Sequence, residues 1–266
     1  MSGLQFGILQ VPVINAQNVT ATTAGNIPLY ISGMFSMTNG WDGSGVLPAV
    51  ELALEQINER TDILEGYNLQ LVWNDSQCVA GKAPRILFDH INNEPTKLII
   101  LGAACSPNTQ AIAVAAHYWN LLTVIVTEIV DKEAKNQVEN LKEQQVRIIF
   151  LMSFEVIARK VFCETPSEFS VLMKRRIATW PKYRYVTHNN YMAYAFDAMW
   201  AIGLMLNNTV TRLREGATKG PVNKLEDFSY NDSGRDLSKI FFEELARTNF
   251  FGASVSADLV RLISQK

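Results

Sequence analysis

The sequence has no long apolar run, and this absence excludes a membrane-spanning helix within the chain. Such a helix needs about 18 or more consecutive apolar residues, and no stretch of that length occurs. The stretch Met1–Ala16 is interrupted by Gln5, Gln10 and Pro12 and has no basic start. We therefore do not interpret it as an intact signal peptide.

Catalytic, metal-binding and nucleotide-binding motifs are also missing. His90, His117 and His188 stand far apart, without Cys, Asp or Glu at metal-ligand spacing, and we expect the first two on helix surfaces. No phosphate-binding glycine loop is present. A net charge of -2 gives no bulk attraction to nucleic acid. These absences predict a protein that is not an enzyme and has no cofactor, metal or nucleic-acid partner.

The composition, 48% hydrophobic and 19% charged, is that of a globular protein. Three cysteines leave at least one unpaired, as in a cytosolic protein with free thiols. Four Asn-x-Ser/Thr triplets favour the opposite interpretation, a secreted glycoprotein. They predict glycosylation at Asn18, Asn74, Asn207 and Asn231.

The first half of the chain alternates short apolar runs with helical patterns. Strands are expected at 29–35, 68–73, 97–102 and 120–126, and helices from residue 46, at 82–92 and at 108–118. This alternation predicts a doubly wound α/β layer with a parallel sheet. Any ligand site is then expected in the loops at the carboxyl ends of the strands.

An ordered set of short motifs runs from about residue 29 to about residue 252. It comprises LYISGMF (29–35), GVLPAVELA (45–53), NDSQC (74–78), GAACS (102–106), YAFDAMW (194–200), LEDFSY (225–230) and NFFG (249–252). Together these motifs resemble the extracellular Venus-flytrap module of metabotropic GABA (GABA-B type) receptor subunits. No single motif would be specific.

The resemblance implies an α/β fold of the periplasmic-binding-protein-like (type I) Venus-flytrap class, with an incomplete lobe 2. After residue 124 and again after residue 164 the chain omits segments that the family has, through alternative splicing or an incomplete gene model. Only one strong strand, at 146–152, follows residue 130. The expected division is a flexible leader (1–28), lobe 1 (29–126), a remnant of lobe 2 (127–190) and a return segment that packs on lobe 1 (191–266).

The resemblance also implies a disulfide between Cys78 and Cys105, with two buried free thiols as the alternative. Cys163 then has no partner. The second helix, with Ile86 and Phe88, is implied to contact another GABA-B receptor subunit, although core packing explains part of its apolar face.

Three residues are candidate ligand contacts. Trp41 follows the first strand and matches an aromatic of the agonist-binding subunit, and a loop tryptophan covering the core is the alternative. Ser106 is implied to hold a carboxylate, with helix capping as the alternative. Tyr191 stands where the family has the glutamate that holds the ligand ammonium group. The other agonist contacts fall in the omitted segments, so binding of GABA or a related amino acid is expected to be weak or absent.

We therefore expect the ectodomain of a receptor subunit at the extracellular face of the plasma membrane. Its role would be neurotransmitter sensing or heterodimer partnership, and G-protein coupling would lie in segments outside this chain. The alternatives are a soluble amino-acid-binding protein of the periplasmic type and a non-functional truncated isoform. An α/β enzyme is disfavoured, since Cys78, Cys105 and Ser106 are its only candidate nucleophiles.

Overall fold

A computed structural model describes residues 25–39, 43–102, 105–126, 148–153, 166–183, 185–186, 191–218, 222–248 and 257–260. The strands within these ranges are β1 Ile27–Phe35, β2 Tyr67–Asp75, β3 Lys97–Gly102, β4 Leu122–Val126, β5 Ile148–Ser153 and β6 Ala257–Val260. The helices are α1 Val46–Glu59, α2 Lys82–Asn92, α3 Ser106–Ala116, α4 Pro166–Thr179, α5 Tyr191–Arg214 and α6 Arg235–Arg247. The elements expected in the first half all form.

The six strands make one sheet in the order β2-β1-β3-β4-β5-β6. The pairings from β2 to β5 are parallel, and only β6 runs antiparallel, along β5. The chain passes from β1 outward to β2 and then returns past β1 to β3. This reversal confirms the doubly wound prediction and makes a switch point between β1 and β3, where ligands bind in folds of this type.

The core lies on both faces of β3. All six of its residues are buried, as expected for a central parallel strand covered by helices on two sides. Helices α2 and α3 contact each other, while α1 packs against α5. Burial of these apolar faces is the main stabilising contribution of the fold.

Helix α5 is 24 residues long, and its last turns, after Leu206, are rich in polar residues. The polar tail of the helix still places Thr209 and Leu213 in the interior, at 0% and 6% exposure, so its buried face continues. Gly203 allows the close approach to α1, because a Cβ there would lie 2.8 Å from Cδ1 of Ile57. None of the helices in the described ranges is long and apolar enough to cross a bilayer.

The described parts of segment 127–190 lie against lobe 1. Strand β5, which resembles a second-lobe strand in sequence, pairs with β4 over four residues. A lone strand has unpaired backbone groups, and the open edge of β4 satisfies them. Helix α4 is held on α1 by a bidentate pair from Arg176 to Glu55, at 2.8 and 2.7 Å. Strand β5 therefore extends the sheet and α4 packs on α1, while the division into lobes stays a prediction.

Candidate functional site

The carboxyl ends of β1, β2 and β3 meet at one edge of the sheet, as parallel pairing requires. The backbones approach closely at the switch point. A Cβ on Gly102, the last residue of β3, would lie 2.7 Å from the carbonyl oxygen of Met34. Only glycine fits there without moving the β1 backbone.

A buried hydrogen-bond network lies at this edge. The Ser36 and Ser76 hydroxyls are 3.0 Å apart, and the Asn108 side-chain amide donates to Ser76 Oγ at 2.9 Å. Ser76 Oγ also donates to the Phe35 carbonyl at 3.0 Å. Ser36, Ser76 and Asn108 are each 0% exposed. The network therefore joins the segments after β1 and β2 to the first turn of α3.

Asp75 is the carboxylate of this edge. Its Oδ1 accepts from the backbone N–H groups of Met37 and Gln77 at 2.8 and 2.9 Å. Its Oδ2 accepts from the Thr38 hydroxyl at 2.6 Å. Three donors occupy its two oxygens, so Asp75 fixes loop geometry and has little capacity left for a ligand ammonium group.

A disulfide joins Cys78 and Cys105 across the same edge, with Cα atoms 5.6 Å apart. Cys105 is the residue before α3, and Cys78 follows β2 in a left-handed conformation, with φ of 53°. The bridge therefore links the loop after β2 to the start of α3.

His90 was expected on the surface of α2, and this expectation is wrong. The side chain is 6% exposed, with Nδ1 2.7 Å from Ser32 Oγ and Nε2 2.6 Å from Asn74 Oδ1. An amide oxygen only accepts, so Nε2 carries the proton and Nδ1 accepts from Ser32. Burial, assisted by the positive charge of Lys97, lowers the pKa of His90 to about 4. The ring is therefore neutral at physiological pH.

The structure locates the predicted ligand contacts only in part. Trp41 lies outside the described residues, as does the unpaired Cys163. Ser106 is the first residue of α3, and its side chain is not among those described. Tyr191 begins α5 and makes an edge-to-face contact with Tyr194, with ring centroids 6.4 Å apart. Their role in ligand binding stays a prediction.

The predicted glycosylation positions differ in accessibility, and Asn18 lies outside the described residues. Asn74 is half-buried with its oxygen bound to His90. Asn207 lies inside α5, and its Oδ1 accepts from the backbone N–H of Leu64 at 3.0 Å. Asn231 is exposed and begins a short turn. Glycan attachment stays a prediction, and the geometry favours Asn231.

The two residues predicted for a subunit contact differ in their exposure to solvent. Ile86 is 6% exposed and belongs to the core, whereas Phe88 is 43% exposed. Phe88 contacts Trp119 edge to face, with centroids 5.5 Å apart. Val114 and Tyr118, at 39% and 76% exposure, add apolar surface on α3 and the turn that follows it.

Sequence reasoning missed the roles of Ser36, Asp75, Ser76 and Asn108. The usable signal was the position of three of them, immediately after or at the end of a buried strand, where ligand-edge residues of such sheets stand. Among the described residues, no three His, Cys, Asp or Glu side chains come together as a metal site.

The sheet order and the switch point define an α/β fold of the type I periplasmic-binding-protein class. The leucine-binding protein LivK of Thermotoga maritima superposes with a TM-score of 0.52 at 13% identity, over 86% of this chain and 90% of that chain. The isoleucine-bound LivJ of Streptococcus pneumoniae gives 0.53 at 12% identity, over 86% and 91%. These likenesses confirm the predicted fold class.

Within this class the likeness in sequence is to receptors. Residues 45–127 match the family model described as receptor family ligand binding region. GABA-B receptor subunit 1 of mouse is 41% identical over 97 residues, which is 36% of this chain and 10% of that sequence. Subunit 1 of Caenorhabditis elegans is 44% identical over 102 residues, 37% of this chain and 11% of that sequence. Subunit 2 of rat is 38% identical over 98 residues, 35% and 10%.

These matches confirm the resemblance to the extracellular domain of GABA-B receptor subunits. The aligned part spans about a tenth of the length of the mouse and rat subunits. Their names describe receptors rather than enzymes, and the chain carries a receptor-type ligand-binding region.

Proposed function

We propose that this chain acts as the lobe 1 portion of a GABA-B-type receptor ectodomain, a binding module rather than an enzyme. The observation that carries the proposal is the match of residues 45–127 to the receptor ligand-binding region. That region contains strands β2, β3 and β4 and helices α1, α2 and α3, and so includes β3 on one side of the switch point. In the cell it would face the extracellular space.

Weak or absent binding of GABA is part of this proposal. GABA carries one carboxylate and one ammonium group, and tight binding needs a partner for each. Among the described residues of the switch-point edge, Asp75 already accepts three donors. Tyr191 offers a phenol where the resemblance places a carboxylate. A single charge-assisted hydrogen bond to the ligand carboxylate contributes only about 1.5–3 kcal/mol.

Calorimetric titration of the full chain tests this part. We expect the Kd for GABA to exceed about 1 mM, equivalent to less than about 4 kcal/mol of binding free energy. L-Leucine serves as a second titrant, because the structural relatives include a leucine-binding protein. Micromolar binding of GABA would contradict the weak-binding proposal. Micromolar binding of leucine instead would favour a soluble amino-acid-binding protein.

The second part of the proposal is a partner role: another GABA-B-type subunit would contact the face formed by Phe88, Val114, Tyr118 and Trp119. This face places exposed apolar side chains on two adjacent helices, and exposed aromatic clusters are typical of interaction sites. Ile86 supports the face from the core and would not touch the partner.

Sedimentation of the chain with a separately purified GABA-B ectodomain tests the partner role. Phe88→Asp should weaken any complex at least tenfold, since it introduces a charge into an apolar contact. Val171→Asp is the matched control, because Val171 is 59% exposed on α4, outside this face. Equal complex formation by both variants would refute the assignment of this surface.

A further inference from the structure

Three consecutive residues at the end of β2 bind three different elements. Asn74 Oδ1 accepts from His90 of α2, Asp75 accepts from the segment after β1, and Ser76 accepts from Asn108 of α3. We call Asn74, Asp75 and Ser76 the β2 latch. Each neighbour that lines the switch-point edge is thus attached to the same tripeptide.

Ser76 is the central residue of the latch. Its hydroxyl donates to the Phe35 carbonyl, so it accepts from both the Ser36 hydroxyl and the Asn108 amide. Ser36 Oγ in turn accepts from the backbone N–H of Cys78 at 3.2 Å. In this order of protons the two serine hydroxyls and the Cys78 N–H each donate one hydrogen bond, while Asn108 Oδ1 is buried without a hydrogen-bond partner.

The latch and the disulfide join the same two segments. Cys78 lies two residues after Ser76, and Cys105 lies three residues before Asn108. The hydrogen bonds connect these segments through atoms other than the sulfurs. Two links between the same segments are thermodynamically coupled, and each favours formation of the other by the same factor.

We propose that the β2 latch is a positioning device that sets the start of α3 against the loops after β1 and β2 and thereby favours closure of the disulfide. Ser76 is its main positioning residue. The latch raises the effective concentration of the Cys78 and Cys105 thiols toward each other. Any effect of the β2 latch on a ligand at this edge rests on the proposed function. The effect of the latch on the two thiols does not.

Equilibration with glutathione measures the effect directly. Protein dithiol and oxidised glutathione exchange to give the protein disulfide and two molecules of reduced glutathione, so electrons and protons balance. All proteins carry Cys163→Ser to remove the third thiol. The oxidised fraction is read by alkylation and mass spectrometry in the folded state, as judged by circular dichroism.

Ser76→Ala should lower the equilibrium constant for disulfide formation about tenfold, because it removes three hydrogen bonds of a buried network. Ser36→Ala, a second variant in case the first fails to fold, should lower it about threefold. It removes the acceptor of the Cys78 N–H but keeps the bond between Ser76 and Asn108.

Thr209→Val is the matched control, since Thr209 is a fully buried hydroxyl that bonds only within α5. It should change the constant less than twofold. Values within twofold of the parent for both serine variants would overturn the latch. A tenfold effect in a protein that binds GABA tightly, or that binds no partner subunit, would leave the latch standing and contradict only the proposed function.

Discussion

The two ends of the sheet are held in different ways. At the amino end, the return segment runs across the starts of three strands: Tyr67 donates to Glu226, the N–H of Lys97 donates to Tyr230 Oη, and the Asn120 amide donates to the Tyr230 carbonyl. These bonds lie at or near the surface. At the carboxyl end, the links are a disulfide and a fully buried network.

The contacts at the amino end complete the fold, whereas those at the carboxyl end support the candidate ligand site. The amino end is contacted by a segment more than a hundred residues away in sequence. At the carboxyl end, the contacts among the described residues come from the segments that follow β1 and β2 and from the start of α3. Rigid support under mobile loops is how α/β sheets build ligand sites. The following predictions test whether the carboxyl end is also the more strongly held end.

Removal of the disulfide should have the largest effect on stability. Cys78→Ser with Cys105→Ser opens a loop with a sequence separation of 27, and a loop of this size contributes about 3 kcal/mol. Urea unfolding of the double variant measures the loss. Cys163→Ser alone should change the free energy of unfolding by less than about 0.5 kcal/mol. Equal losses from the two changes would mean that the bridge does not stabilise this edge.

Acid should weaken the carboxyl end through His90. Burial and the charge of Lys97 lower the pKa of His90 to about 4, from an ordinary value of 6.5. The unfolded chain therefore binds a proton that the folded chain excludes between these values. This contribution is fully present above pH 6.5 and is lost as the pH falls toward 4, about 3 kcal/mol in total.

His90→Gln isolates that contribution, since glutamine does not titrate. Urea midpoints between pH 7 and 4 should fall more steeply for the parent chain than for the variant. Parallel curves would show that His90 does not exclude the proton and that the bonds to Ser32 and Asn74 do not depend on a neutral ring.

At the amino end, Tyr230→Phe should cost about 1 kcal/mol, because the backbone N–H of Lys97 loses its acceptor in a half-buried position. Amide hydrogen exchange at Lys97 should accelerate at the same time. Tyr118→Phe is the control, as Tyr118 is 76% exposed, and it should leave stability unchanged. A loss as large as that from disulfide removal would reverse the ranking of the two ends.

The sequence predicted the pattern of elements because apolar periodicity depends on local neighbours. It placed the strands from β1 to β4 and their doubly wound, parallel arrangement correctly. It did not predict that β5 pairs with β4, because pairing depends on which sheet edge lies open in three dimensions.

His90 was misjudged although a signal was present. It lies four residues after Ile86 and three after Leu87, and helical spacing puts all three on one face. The predicted surface position was based on the polar character of the ring and not on its place along the helix. The serine network was beyond prediction for another reason: Ser36, Ser76 and Asn108 meet only after three loops have taken their final paths.

The smallest effect is expected for Tyr67→Phe, which removes the surface bond of 2.9 Å to Glu226. At neutral pH the loss should stay below about 0.5 kcal/mol, as for other exposed polar pairs.

At alkaline pH the Tyr67 hydroxyl should make a further, pH-dependent contribution to stability, because burial and then Glu226 raise the pKa of Tyr67 to about 12. The folded state thus keeps a proton that the unfolded state releases near pH 10, so this contribution is present below pH 10 and is lost as the pH rises toward 12. The parent should lose stability faster than Tyr67→Phe over that interval in urea unfolding. Equal slopes would mean that neither burial nor Glu226 keeps the proton on Tyr67 in the folded state.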